Sequence, residues 1–129
     1  MAAALGAALE RRDAAVVVGI DAPTLPIAHL AAAIDALRSN DVTLAPSADG
    51  GYHAIGARGP ITLEGIRWSC RHTLADTLRA LGERTVRLLP LWYDVDEPAD
   101  LRLLAAHLAL APRAAPRTLE ALVDLGVAF

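Results

Sequence analysis

Apolar residues follow two alternating patterns along the chain. Short apolar runs bounded by Gly, Pro, Asn or Asp are typical of β-strands. They predict strands at residues 14–20, 42–45, 52–56 and 85–93. Between them, apolar residues recur every three or four positions, as on one face of an α-helix. This spacing predicts helices at residues 2–12, 26–39, 73–81 and 99–110, and a short last helix from Pro116.

Strands that alternate with helices predict an α/β fold with a largely parallel sheet. The uninterrupted run of residues 14–20 indicates a strand that is covered on both faces. At 129 residues the chain has the length of one domain, 1–129. Ligands of such sheets bind beyond the carboxyl ends of the strands. Three acidic segments follow strands and are expected to converge there: Asp21, the Asp49-Gly50-Gly51 loop, and Asp94 with Asp96.

Asp21 and Asp96 are the predicted metal ligands. A carboxylate directly after a strand is held by a rigid element, and Mg²⁺ prefers oxygen ligands, often one or two carboxylates together with substrate phosphates. Asp94 lies two residues before Asp96 and points to the same side of an extended chain, so it is predicted as a further ligand or as a partner that orients one. The expected cofactor is Mg²⁺ or Mn²⁺.

Both ligands also have a purely structural interpretation. Asp21 could accept backbone amides as a turn residue before Pro23. Asp96 could cap the helix that begins near Pro98, with Asp100 favoured in its first turn by the helix dipole. Because a carboxylate has two oxygens, capping and metal binding are compatible. The sequence pattern leaves both interpretations open.

The segment Asp49-Gly50-Gly51-Tyr52 is the predicted substrate-binding loop. Paired glycines let the backbone approach a ligand closely, and Tyr52 offers a flat face and a hydroxyl. A hairpin turn is the alternative, since Asp-Gly favours one. Trp68, with Ser69, is predicted to line the acceptor pocket, although a lone Trp is more often part of a core.

Charge and composition exclude several classes of protein. The net charge is -3 and the 12 basic residues, all Arg, are scattered, which argues against nucleic-acid binding. No apolar stretch approaches the roughly 20 residues that span a bilayer. The Ala-rich amino terminus runs into Glu10-Arg11-Arg12, which favours an amphipathic helix over a signal peptide.

Cysteine and histidine are given no chemical role. A lone Cys70 excludes an internal disulfide, and we therefore predict a cytoplasmic protein. His29, His53, His72 and His107 lack metal-ligand spacing and are predicted to be structural.

Four motifs in order resemble the DUF2064 family, over about residues 14–104. They are Val16-Val17-Val18-Gly19-Ile20-Asp21-Ala22-Pro23, Ala45-Pro46-Ser47-Ala48-Asp49-Gly50-Gly51-Tyr52, Ile66-Arg67-Trp68-Ser69, and Tyr93-Asp94-Val95-Asp96-Glu97-Pro98-Ala99-Asp100-Leu101. That family is similar to the GT-A nucleotide-diphospho-sugar transferases. The resemblance implies a three-layer α/β fold with a mixed, mostly parallel sheet. It also implies that Asp21 and Asp96 stand where such folds hold a divalent metal.

The resemblance also implies a missing part. A complete GT-A-like domain would carry a further strand and a Gly-rich, basic loop before residue 1, so the chain is expected to be a carboxyl-side part that lacks the amino-terminal strands. The strand at residues 14–20 would then expose an unpaired apolar edge. We expect this edge to drive self-association, or to pair with a segment encoded upstream.

Three functions remain open at this stage. The first is a metal-dependent transferase that moves a sugar from a nucleotide diphosphate. The chain would be a complete or a remnant form of this enzyme, and its catalytic activity is left open. The second is nucleotidyl transfer to a phosphorylated acceptor, as in guanylyltransferases of similar architecture. The third is an inactive, truncated module for binding or self-association.

Overall fold

The computed structural model describes residues 1–127. It contains the strands β1 (Ala14–Val18), β2 (Val42–Pro46), β3 (Tyr52–Arg58) and β4 (Val86–Leu88). The helices are α1 (Ala2–Leu9), α2 (Ile27–Ala36), α3 (Thr73–Leu81), α4 (Pro98–Leu110) and α5 (Pro116–Asp124).

The strands form one mixed sheet in the order β1-β3-β2-β4. β3 is antiparallel to both β1 and β2, and β2 is parallel to β4. Hence β1, β2 and β4 share one direction, but parallel pairing is confined to β2 and β4. The prediction of a largely parallel sheet is wrong in this respect. The loop at residues 47–51 is too short for a parallel crossover, so β3 must return antiparallel beside β2.

Helices cover both faces of the sheet, which confirms the three-layer α/β class. On one face, Leu5 of α1 and Leu81 of α3 pack with Leu44 and Ile55. On the other face, Ala33 of α2 packs with alanines of β2 and β3. A further apolar cluster joins α4 and α5. Within residues 1–127, no helix has the length and apolar character needed to cross a bilayer.

Some predicted bounds were wrong at the ends of elements. α1 ends at Leu9, β3 continues to Arg58, and β4 spans only Val86–Leu88 instead of residues 85–93. Pro90 lacks an N–H and interrupts the β4 ladder, although Trp92 N still donates to Pro46 O at 3.1 Å. β1 ends before Ile20, whose side chain is fully exposed.

β1 is an edge strand, as the family resemblance implied. Its residues after Ala14 are half-buried, and both of its faces are covered as predicted: Ala15 and Val17 pack on one core cluster, and Val16 and Val18 pack on the other. The register with β3 and the Gly19 N to His53 O hydrogen bond place the backbone groups of Ala14, Val16 and Val18 on the open side. This apolar edge has no charged residue and no proline to block a further strand.

A buried carboxylate, Asp76 of α3, holds the segment that carries Trp68. Asp76 accepts from Arg67 Nε at 2.7 Å, from Arg67 N at 3.2 Å and from Arg79 at 2.8 Å. Its side chain is only 3% exposed. The hydrogen bonds from both guanidinium groups hold the pKa of Asp76 well below its ordinary value. The ion pairs therefore fix residues 67–70 against α3.

We expect the open edge of β1 to pair with β1 of a second copy. An antiparallel, symmetric pairing centred on Val16 would satisfy the outward backbone groups of both strands. Ala14→Pro removes one outward N–H at an exposed position and should weaken the dimer, whereas Ala14→Ser keeps the N–H and should not. Light scattering over a concentration series measures this. A monomer at every concentration would contradict the prediction.

We expect Asp76→Asn to lower the melting temperature by several degrees at pH 7. Because the folded-state pKa of Asp76 is lowered, its stabilising contribution is present above the unfolded value of 3.8 and is lost as the pH falls below it. The melting temperature of the variant should thus depend less on pH in that acidic range. Asp35→Asn, which removes an exposed ion pair with Arg38, is the control and should change little. Equal thermal melts for all three proteins would remove the anchoring role of Asp76.

Candidate active site

Three loops meet at the edge of the sheet where β1, β2 and β4 end. Residues 89–96 run alongside the end of β2, with an isolated parallel bridge between Ser47 and Trp92. Val95 N donates to Asp21 O at 2.9 Å, which ties the same segment to the loop after β1. The convergence of the three acidic segments, predicted from their positions after strands, is confirmed.

Asp49, Asp94 and Asp96 form what we call the acidic triad. Each offers a carboxylate oxygen, and these atoms lie within 4.8 Å of one another. Asp49 and Asp96 are exposed and Asp94 is half-buried. Burial raises the pKa of Asp94, and the carboxylates of Asp49 and Asp96 raise it further. Three converging carboxylates repel one another unless a cation lies among them, and their oxygens suit Mg²⁺ or Mn²⁺.

The predicted pair of Asp21 and Asp96 is only partly brought together. Asp21 contributes its carbonyl oxygen to the site, but its carboxylate lies outside the acidic triad. A Cβ at Gly19 would lie 2.6 Å from Asp21 Oδ1, so the carboxylate bends back over Gly19 into space that only glycine leaves free. In residues 1–127 the Asp21 side chain makes no hydrogen bond, unlike a turn-capping residue. A metal role for Asp21 stays a prediction.

Asp96 is not the helix cap that its position also allowed. Glu97 is the N-cap of α4. Asp100 Oδ2 accepts from Glu97 N at 2.8 Å and from Asp96 N at 3.1 Å. Asp100 thus satisfies the two amides directly before α4, while the Asp96 carboxylate lies in the acidic triad.

Tyr93, the residue before Asp94, holds the segment that carries Asp94 and Asp96 through two side-chain contacts. Thr24 Oγ1 donates to the Tyr93 hydroxyl at 2.9 Å, and this hydroxyl lies 2.8 Å from His107 Nδ1 of α4. The Tyr93 hydroxyl therefore links the loop after β1 to α4. Sequence analysis missed this contact because the three residues are distant in the chain, and the motif that begins at Tyr93 shows neither Thr24 nor His107 as its partner.

A cavity of about 300 Å³ adjoins the acidic triad. Its lining includes most of the predicted substrate-binding residues, namely Asp49, Gly51, Tyr52, Trp68 and Ser69. Trp68 is 46% exposed and so is not a core residue. Tyr52 is mainly core, at 8% exposure, and its hydroxyl lies 3.4 Å from Thr77 Oγ1.

The Asp49-Gly50-Gly51 loop is both the hairpin turn and part of the cavity wall. It connects the antiparallel strands β2 and β3, and Asp49 Oδ1 accepts from Ser47 Oγ and Gly51 N. Gly50 does not line the cavity. It has a φ of 90° and packs so closely on the backbone of Arg71 that a Cβ would lie 2.5 Å from Arg71 O. Glycine is required there for both reasons.

The histidines and Cys70 lie outside the acidic triad. His53 is 2% exposed, and neither ring nitrogen has a hydrogen-bond partner among residues 1–127. Burial lowers the pKa of His53 and favours the neutral ring. His29 packs edge-on against Trp92, with ring centroids 5.3 Å apart. His29 and His107 contact neighbouring aromatic residues, as expected of histidines with structural roles. The buried ring of His53 has no hydrogen-bond partner among the described residues, and the structure does not explain its presence there.

A second cavity, of about 440 Å³, lies between α1 and residues 60–64. Its lining is mainly apolar, with Leu5, Leu9 and Ile61 among its residues. Its two carboxylates, Glu10 and Glu64, belong to no group of three metal-ligating side chains within residues 1–127. The cavity beside the acidic triad is therefore the better candidate for a reaction site.

Comparison with solved structures agrees with this architecture. A protein from Desulfovibrio desulfuricans G20, provisionally described as a nucleotide-diphospho-sugar transferase, matches with a TM-score of 0.72 and 30% sequence identity. The match covers 95% of this chain and 58% of that chain. The fold is therefore that of a nucleotide-diphospho-sugar transferase, over part of its length.

Comparison with curated proteins gives a different transferase. A phosphoenolpyruvate guanylyltransferase from Sphaerobacter thermophilus is 33% identical over 99 residues, which are 74% of this chain and 48% of the relative. The chain thus spans about half the length of this relative. The family model described as an uncharacterized protein conserved in bacteria, DUF2064, matches residues 1–70. The chain belongs to the DUF2064 family.

Proposed function

We propose that this protein is a metal-dependent transferase that moves a sugar from a nucleotide diphosphate. The observation that supports this most directly is the acidic triad, which lies at the carboxyl edge of the sheet beside a cavity. The similarity of the fold to a nucleotide-diphospho-sugar transferase supports a ligand-binding role for this edge of the sheet.

The residues of the site have distinct roles in this proposal. Asp49, Asp94 and Asp96 would hold Mg²⁺ or Mn²⁺, and Asp21 stays a further candidate ligand. The bound metal would neutralise charge that develops on the diphosphate leaving group.

Tyr93 holds the segment that carries Asp94 and Asp96, through Thr24 and His107. Such outer contacts fix the geometry of carboxylate ligands.

Nucleotidyl transfer is the second candidate. It is supported by the identity with the phosphoenolpyruvate guanylyltransferase. The same metal would then act at the α-phosphate of a nucleoside triphosphate, and pyrophosphate rather than a nucleoside diphosphate would leave. The two reactions share the acidic triad and differ in the donor and in the chemistry of the acceptor.

We expect the chain to bind Mn²⁺ and Asp96→Asn to weaken this binding. Loss of an outer partner of a metal site typically costs roughly 10–100-fold in affinity, and loss of a carboxylate ligand should cost at least as much. Isothermal calorimetry measures the effect. Asp35→Asn, a matched change on the exposed face of α2, should bind Mn²⁺ like the wild type.

The same titration decides the role of Asp21. Weakening by Asp21→Asn to the level of Asp96→Asn would mean that the Asp21 carboxylate turns away from Gly19 and joins the metal. Unchanged binding would leave the acidic triad as the complete protein ligand set. Mn²⁺ binding that Asp96→Asn leaves intact would remove the proposed site.

Product analysis separates the two reactions. With Mn²⁺ and a UDP- or GDP-sugar, the proposal predicts release of the nucleoside diphosphate, and Asp96→Asn should abolish it. Pyrophosphate release from a nucleoside triphosphate, with no turnover of either nucleotide sugar, would instead establish the guanylyltransferase-like reaction.

A further inference from the structure

We propose that the cavity between α1 and residues 60–64, which we call the α1 cavity, binds a small amphiphilic cation. The apolar part of this ligand would pack against Leu9 and Ile61, and its ammonium group would lie beside Glu10. The volume of about 440 Å³ lies in the range of small-molecule sites. None of the residues assigned to the transfer reaction lines the α1 cavity, so this binding is independent of the proposed function.

One face of α1 forms a wall of the α1 cavity. The lining residues of this wall have the three- and four-residue spacing of a single helical face, and they are Ala2, Leu5, Gly6 and Leu9. Leu5 is 1% exposed and belongs to the core, whereas Leu9 is half-buried and packs against that core from its edge. The wall is therefore anchored in the core and still leaves apolar surface open to a ligand.

Gly6 widens the α1 cavity. Glycine inside a helix is less favourable than alanine, because it loses more backbone freedom on folding. A Cβ at Gly6 would meet no other part of the chain within 4 Å, so packing does not require glycine at this position. The missing side chain instead leaves the backbone of α1 accessible from the cavity.

Residues 60–64 form the opposite wall. Ile61 and Leu63 are half-buried, and both pack against the core cluster that contains Leu5. Arg84 lies outside the lining, and its Nη2 donates to Pro60 O at 2.9 Å, which holds the start of this segment. Apolar side chains thus line both walls, and an apolar group placed between them would remove their surface from water.

The ionisable side chains of the α1 cavity are both acidic. Glu10 and Glu64 line it, and none of its described lining residues is Arg, Lys or His. The α-ammonium group belongs to Met1, which lines the other cavity, beside the acidic triad. Arg11 and Arg12 follow Glu10 in the chain, but neither forms an ion pair with it within residues 1–127. The lining therefore favours a cation over an anion.

The direction of α1 places the cation at Glu10. The negative end of the helix dipole lies at the carboxyl end of α1, where Glu10 is the C-cap. A cation there is attracted by both the carboxylate and the dipole. At the other end of α1, the positive end of the dipole and the α-ammonium of Met1 would repel it. An arylalkylamine, with an apolar ring and one ammonium group, has the chemistry that this arrangement fits.

Methyl NMR of the complete chain tests the proposal. The Ile61 methyl signals are assigned with Ile61→Val, and the wild type is titrated near neutral pH with 2-phenylethylamine, 2-phenylethanol or phenylacetate. These probes are similar in size and are positive, uncharged and negative. The amine should shift the Ile61 signals and leave those of Ile34, on the other face of the sheet, unchanged. Its affinity should exceed that of the alcohol about threefold and that of phenylacetate about tenfold, since exposed charge pairs contribute modestly.

Two pairs of variants locate the ligand. Glu10→Gln should remove the advantage of the amine over the alcohol, whereas Glu83→Gln, a matched change of an exposed glutamate outside the lining, should retain it. Gly6→Leu should weaken the binding of all three probes because its side chain fills the α1 cavity. Gly6→Ala raises the helix propensity without filling the cavity, and should bind the probes as the wild type does.

Four results would overturn the proposal. They are equal or tighter binding of phenylacetate than of the amine, an advantage of the amine that Glu10→Gln leaves intact, wild-type binding by Gly6→Leu, and no Ile61 shift with any probe. Ile34 shifts as large as those of Ile61 would also count against it, since they would mean general adsorption to apolar surface. No metal or nucleotide takes part in this titration, so its outcome is separate from that of the transfer assays.

Discussion

The antiparallel insertion of β3 between β1 and β2 is the constraint on which the rest of the fold depends. Nearly all of β3 is buried, and it satisfies the backbone groups of a neighbour on each side. The short return from β2 places Asp49 at the edge of the sheet where β1 and β4 also end. Among residues 1–127, β1 is thereby left with one partner strand, and its other side is an open edge of the sheet.

The acidic triad is a cluster of like charges, and other contacts must hold it together. Val95 N donates to the carbonyl of Asp21, Tyr93 joins Thr24 to His107, and Asp100 accepts from the amides of Asp96 and Glu97 directly before α4. None of these three contacts uses a carboxylate of the acidic triad, although Asp49 Oδ1 also accepts from Ser47 Oγ and Gly51 N. Repulsion among the three carboxylates is thus opposed by contacts of the surrounding backbone and side chains.

The sequence predicted the elements of the fold better than their pairing or the orientation of side chains. The β-branched run identified the strand β1, whereas its place at the edge of the sheet was implied only by the family resemblance. Two acidic residues spaced two apart after β4 identified Asp94 and Asp96. Asp49 was predicted as a substrate-binding residue, and its position beside Asp94 and Asp96 depends on the tight return from β2 to β3, which the sequence alone did not predict. The orientation of Asp21 depends on the space left by Gly19, which no periodicity records.

The proposed function depends on a divalent metal among Asp49, Asp94 and Asp96, beside the cavity that Trp68 lines. Anomalous X-ray scattering from a crystal of the chain grown with Mn²⁺ is the most direct measurement of this claim. We expect one strong anomalous peak within coordination distance of the three carboxylates, at roughly 2.0–2.6 Å. A crystal with ordered carboxylates and no peak there, or with its peak elsewhere in the chain, would contradict it.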